Sequence, residues 1–131
     1  MDYCLTLNSG TSALHASYLA YGIKQGDEVI VPSFTFISTV NSTLFVNAKP
    51  VFVDIEEETF GMDPKLIEQS ISSKTKAIIP MDYGGQSCKI FEIKEKAQEN
   101  NLILIEDAAE SLGSKINGSK VGSVSDIAIF S

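Results

Sequence analysis

The chain has 131 residues, 44% hydrophobic and 21% charged, with 17 acidic side chains against 10 basic ones for a net charge of −7. A chain of this size buries roughly two-thirds of its unfolded surface, so it forms one soluble domain or part of one, and no apolar run nears the ~18 residues that cross a bilayer. Every basic residue is Lys and none cluster, which leaves no electrostatic footprint for nucleic acid, and Met1-Asp2-Tyr3-Cys4 lacks the basic start of a signal peptide, so a cytoplasmic protein is expected.

In chain order, residues 3–7 read as a first strand, followed by the small-residue loop Asn8-Ser9-Gly10-Thr11-Ser12 and a helix over 12–21 that closes at Gly22. A strand at 28–31 leads through Pro32-Ser33-Phe34-Thr35-Phe36 into a helix over 36–46 that is apolar on most sides. Strand 50–53 ends at Asp54, and Glu56-Glu57-Glu58 reads as a solvated acidic turn. Asp63 caps a helix over 64–71, strand 77–80 follows, and 89–100 places Ile90, Ile93 and Ala97 at helical spacing. Strand 102–105 runs into Glu106-Asp107-Ala108-Ala109-Glu110. Asn117-Gly118 centres a hairpin over 114–121, and strand 126–130 closes the chain. Strand-helix alternation with near-continuous apolar strands predicts a three-layer α/β/α fold with a mostly parallel sheet.

Ligands of open α/β sheets bind beyond the carboxyl ends of the strands, so three loops are candidates. In the first, small residues before a helix expose backbone N–H groups, and the helix dipole adds partial positive charge. Thr11 and Ser12 contribute hydroxyls, so the loop suits a phosphate as well as serving as an ordinary helix cap. Its spacing matches neither the dinucleotide fingerprint nor the P-loop. In the second, an aromatic residue could lie flat on a cofactor ring, with at least one of Phe34 and Phe36 expected in the core. In the third, four apolar residues run into Glu106-Asp107, and Asp107 stands at a strand end where a carboxylate is costly unless it meets a cation or a protonated ligand or caps the next segment. Pyridoxal 5′-phosphate joins a phosphate to a ring nitrogen that must keep its proton. Cys4 and Cys88 stand far apart and His15 is the only histidine, which excludes a disulfide framework and argues against a Cys/His zinc site. His15 reads as a packed helix residue, and Lys49, Lys74 and Lys76 lie at the opposite end of the strands.

Taken in order, Asn8-Ser9-Gly10-Thr11-Ser12-Ala13-Leu14, residues 26–36, Pro50-Val51-Phe52-Val53-Asp54, residues 105–113, and Gly122-Ser123 with Ile129-Phe130-Ser131 resemble the DegT/StrS family of pyridoxal-phosphate-dependent nucleotide-sugar aminotransferases. The resemblance spans nearly the whole chain and implies the large, cofactor-binding domain of a type I transferase, truncated. It further implies that Gly10, Thr11, Ser12 and Ser131 hold the cofactor phosphate, that Phe36 stacks on the ring, and that Asp107 pairs with the ring nitrogen. Glu110 stands where many members carry Gln or His near the ring hydroxyl. No metal is implied.

The family's Schiff-base lysine falls five residues after the position of Ser131, and the family's N-terminal segment and smaller C-terminal domain have no counterpart in the chain. The resemblance therefore implies a fragment, inactive alone, of a homodimer that aminates a nucleotide-linked keto sugar with glutamate as donor. Because the chain has no Arg, a clamp for the donor carboxylate must come from elsewhere. Two other readings stand beside it: a pyridoxamine-phosphate-dependent sugar dehydratase of the same family, and a non-catalytic flavodoxin-like receiver with Asp54 as phosphoacceptor.

Overall fold

The computed structural model describes residues 3–131; Met1 and Asp2, where the reading of the chain start falls, lie outside the described residues. Five parallel strands form the central sheet in the order β2 (Lys49–Val53), β1 (Glu28–Pro32), β3 (Thr75–Ile78), β4 (Ile103–Asp107) and β7 (Ile127–Ile129). The intervening pair β5 (Lys115–Ile116) and β6 (Ser119–Lys120) forms the expected hairpin, with Asn117 and Gly118 both at positive φ, 50° and 80°. Two positive φ values in a row match the turn to the right-handed strand twist.

Two helices cover each face. α1 (Gly10–Ala20) and α2 (Ile37–Phe45) lie on one side, where Leu14 and Tyr18 pack on Val29, Val31, Ala77, Ile79 and Ile105. On the other, α3 (Pro64–Ile67) and α4 (Ile90–Glu99) bury Ile67, Ile90, Ile93 and Ala97 against Ile30, Ile78 and Leu104. Side chains alternate across a strand, so the two clusters take alternate residues of the same strands, and the three-layer expectation holds. α3 is shorter than expected: after four residues the chain tightens into a 3-10 turn over Glu68–Ser70. β3 begins two residues early and β4 continues to Asp107.

The expected first strand is not formed. Residues 3–7 pair with no strand among the described residues, and Tyr3 and Leu5 are 93% and 78% exposed. A gap of about 1050 Å³ separates them from the free edge of β7, floored by Ala13, Ala16 and Ala20 of α1. A β-branched or aromatic run makes a strand only where a neighbour accepts its hydrogen bonds, and no strand of the sheet pairs with this one. In the acidic turn Glu57 and Glu58 are exposed as expected, and Glu56 differs. Glu56 is nearly covered, accepting the N–H groups of Glu58 and Thr59 and pairing with Lys89 at 3.2 Å.

Candidate functional site

The three loops converge at the carboxyl end of the sheet. A cavity of about 190 Å³ is lined by Gly10, Thr11, Phe36, Asp107, Glu110 and Ser131 among others, so six of the seven residues singled out from the sequence meet in one place. Ser12 is the exception. Its N–H donates to the Ser9 side chain at 3.1 Å, and its hydroxyl lies 3.0 Å from the same oxygen, so it completes the cap of α1. Ser9 is thus the N-cap, and α1 starts two residues earlier than expected.

That earlier start changes what the loop offers. With Ser12 N–H taken by the cap, the Gly10 and Thr11 N–H groups have no acceptor among the described residues and lie at the positive end of an 11-residue helix. Gly10 admits Ser131, since a Cβ there would stand 3.0 Å from the Ser131 Cβ. The Thr11 hydroxyl is 2.7 Å from that of Ser38. This is a compact set of neutral donors without a cation, suited to an anion.

Asp107 closes the opposite side. It is 2% exposed, it ends β4, and its backbone is fixed on both sides: its N–H donates to Pro80 O, and its carbonyl accepts from Asp82 N–H. The Thr39 hydroxyl donates to Oδ2 at 2.6 Å, and Ala109 N–H reaches Oδ1 at 3.3 Å. Burial pushes the carboxyl above its ordinary value, with Asp82 and Glu110 adding to the rise, while the two donors pull it back. No ion pair among the described residues includes Asp107. A buried carboxylate with two neutral donors and an open side toward a cavity is stabilised by a protonated partner entering that cavity.

The aromatic loop departs from expectation. Neither Phe34 nor Phe36 is core; they are 43% and 61% exposed. The buried run of β1 ends at Pro32, and the loop beyond it projects past the sheet. Phe34 stacks tilted on Tyr83 at 4.6 Å, whereas Phe36 turns to the cavity with its N–H on the Met81 sulfur at 3.3 Å. Glu110 accepts the Gly84 N–H at 2.7 Å and so links the loops after β3 and β4.

Thr39, Ser38 and Met81 are the contacts that sequence reasoning missed. The available signal was the run of Ser38, Thr39, Ser42 and Thr43 in a helix otherwise read as apolar; all four are buried. Asp54 lies apart, exposed at the end of edge strand β2 and held by Ser33 Oγ and its neighbour's N–H, both at 2.9 Å. His15 packs edge-on to Phe45. Among the described residues, no helix is long and apolar enough to cross a membrane.

Comparison with known proteins places this geometry. The family model of the DegT/DnrJ/EryC1/StrS aminotransferases matches residues 1–131. GDP-perosamine synthase of Escherichia coli O157:H7 is 47% identical over 131 residues, all of this chain and 36% of that protein. A UDP-2-acetamido-2-deoxy-3-oxo-D-glucuronate aminotransferase of Pseudomonas aeruginosa is 40% identical over 98% of this chain and 36% of its own length. Among solved structures, NtdA from Bacillus subtilis with bound cofactor PMP superposes with a TM-score of 0.86 at 37% identity, over 92% of this chain and 27% of that one. The chain thus spans about a third of the length of the relatives it matches.

Proposed function

The chain belongs to the DegT/DnrJ/EryC1/StrS aminotransferase family, and on that premise we propose that it is the cofactor-cradling part of a pyridoxal-phosphate-dependent enzyme that transfers an amino group from glutamate to a nucleotide-linked keto sugar. The observation that carries the reading is the buried, cation-free Asp107 facing the same small cavity as the open N-terminus of α1. The residues fit the group at both ends: neutral donors for a phosphate dianion, and a carboxylate for a ring nitrogen that must stay protonated.

When bound, pyridoxal phosphate supplies a cationic ring that withdraws electrons from the carbon beside the transferred nitrogen. The chain's own part is to hold and orient it. Gly10 and Thr11 N–H, with the Thr11 and Ser131 hydroxyls, would grip the phosphate, and Phe36 would cover one ring face. Asp107 would keep the proton on the ring nitrogen, and Thr39 fixes the carboxylate oxygen it bonds. Glu110, anchored on Gly84, would face the ring hydroxyl. None of the ten lysines lines the cavity, so a lysine that forms a Schiff base with the cofactor would have to come from polypeptide outside this chain. The exposed Phe34, Ile37 and Tyr83 beside the site support closure by a second subunit in a homodimer.

The test is a titration with pyridoxamine 5′-phosphate, which lacks the aldehyde and so forms no adducts with surface lysines. Wild type should bind, Asp107→Ala should bind at least ten-fold more weakly, and Asp107→Asn should lie between them. Equal affinity in all three, with circular dichroism unchanged, would remove Asp107 from the role.

A further inference from the structure

Asp107 is the inner end of a run of polar atoms that the reading above uses only in part. Its Oδ2 is 2.6 Å from the Thr39 hydroxyl, that hydroxyl is 2.8 Å from the one of Thr35, and Thr35 Oγ1 is 3.0 Å from the Met81 sulfur. Asp107, Thr39 and Met81 are buried, and Thr35 is half-buried in the loop between β1 and α2. Met81 and Asp107 form a parallel bridge, so the sheet fixes both ends of the run. The same sulfur meets Phe36 N–H at 3.3 Å.

The two hydroxyls have fewer hydrogens than the run has contacts. A hydroxyl carries one and a thioether none, so Thr39 and Thr35 bring two hydrogens to three contacts. With Asp107 ionised, both point inward, Thr35 donating to Thr39 and Thr39 to the carboxylate, because a charged acceptor attracts a hydrogen more strongly than a thioether does. The Thr35–Met81 contact is then without a hydrogen. With Asp107 protonated, the carboxylic acid supplies the third: Asp107 donates to Thr39, Thr39 to Thr35, and Thr35 to the sulfur. Every contact is now a hydrogen bond, and the run ends on an atom that can only accept.

We infer that Thr39, Thr35 and Met81 form a reversible hydroxyl relay that satisfies Asp107 in either protonation state, its direction turning over when the carboxyl gains or loses its proton. Thr35 and Met81 are positioning residues, acting on Asp107 through Thr39. The titratable groups facing Asp107 are Tyr18 from α1, Asp82 after β3 and Glu110 after β4; α2 and β7 contribute none, and no cation is among them. Burial raises the carboxyl, and the two acids add to the rise, so the protonated arrangement belongs to the empty cavity. When a ligand with a basic nitrogen enters, the proton passes from Asp107 to that nitrogen, or to water where the nitrogen already carries one, and both hydroxyls rotate inward. This ligand-driven reversal rests on the cofactor reading above, whereas the relay stands without it.

The relay makes Met81 matter to one protonation state only. Met81→Leu keeps the volume and removes the terminal acceptor, which the protonated state alone uses; Phe36 N–H meets the sulfur in both states and cancels. Carboxyl-carbon NMR on the chain labelled at Asp, without ligand and with the signal assigned from Asp107→Asn, should show the Asp107 midpoint lowered by about half a pH unit in Met81→Leu. Added to Thr35→Val, the same change should leave the midpoint of Thr35→Val where it was. Added to Thr35→Ser, which retains the hydroxyl, it should lower the midpoint again. An equal midpoint in wild type and Met81→Leu, or an undiminished lowering in the Thr35→Val background, would overturn the relay. Should Thr35→Val fail to fold by circular dichroism, Met81→Leu in wild type decides alone. With saturating pyridoxamine 5′-phosphate, at a pH below the free midpoint, the Asp107 signal should move to its ionised position. If the Met81→Leu lowering is present and this movement is not, the cofactor reading fails and the relay holds.

Discussion

α2 and α4 cover opposite faces of one sheet and are built on opposite rules. α4 buries Ile90, Ile93 and Ala97 and shows its charges to water, the ordinary amphipathic arrangement. α2 buries Ser38, Thr39, Ser42 and Thr43 and leaves Ile37, Leu44 and Phe45 more than half exposed. What each helix covers accounts for the difference. α4 lies on an apolar stretch around Leu104, whereas α2 lies over Asp107 and against α1, where the Asp107 carboxylate needs a donor and the Thr11 and Tyr18 hydroxyls meet those of Ser38 and Thr43. Tyr18 extends the same seam, its hydroxyl 2.8 Å from that of Thr43. A helix that shields a buried charge has to bring hydroxyls with it, and its apolar residues are then left on the outside.

Substitutions can break this contrast in graded steps. The largest effect belongs to α4: Ile93→Ala, at a fully buried position, should cost about 2–5 kcal/mol in urea unfolding through lost transfer energy and a cavity. Next comes Thr39→Val, which keeps the shape but removes the donor to Asp107; a loss of about 1–3 kcal/mol is expected from leaving a buried acceptor short. This variant also carries a pH signature. The Asp107 carboxyl is already raised in the folded chain, so stability falls as pH rises from the ordinary Asp value through the raised one. Removing Thr39's donor should extend that fall to higher pH, and unfolding curves between pH 4 and 8 would show it. Leu44→Ser, on the outer face of α2, should stay within about 0.5 kcal/mol, because an exposed Leu has little burial to lose. The smallest change, with the opposite sign, is expected at Ser42. Its buried hydroxyl has no partner among the described residues, so Ser42→Ala should be neutral or slightly stabilising by calorimetry. A cost above about 1 kcal/mol there would mean that the α2 seam works as one network.

Much of the fold was legible in sequence because its signals are local. Gly22 after α1, the Asp63 cap of α3 and Asn117-Gly118 in the hairpin each act through their neighbours' backbone, and five of the six expected strands form within two residues of their expected limits. The sixth, residues 3–7, has the composition of a strand, but strand pairing is a property of two segments and composition belongs to one. The site followed the same division. Gly10, Thr11, Phe36, Asp107, Glu110 and Ser131 could be picked out by residue type at strand ends, and they do converge. Thr39 and Met81 could not, because each matters only through the group it meets in the folded chain.

The order of the elements, the positions of the caps and turns, the acid at the end of β4 and the small-residue entry to α1 were determined by the sequence itself, since each depends on contacts a few residues long. Which face of α2 turns inward and the exposure of Phe34 and Phe36 were decided by the tertiary structure. Those depend on contacts between distant segments, as where Thr39 meets Asp107 68 positions along the chain, and no signal a few residues long specifies them.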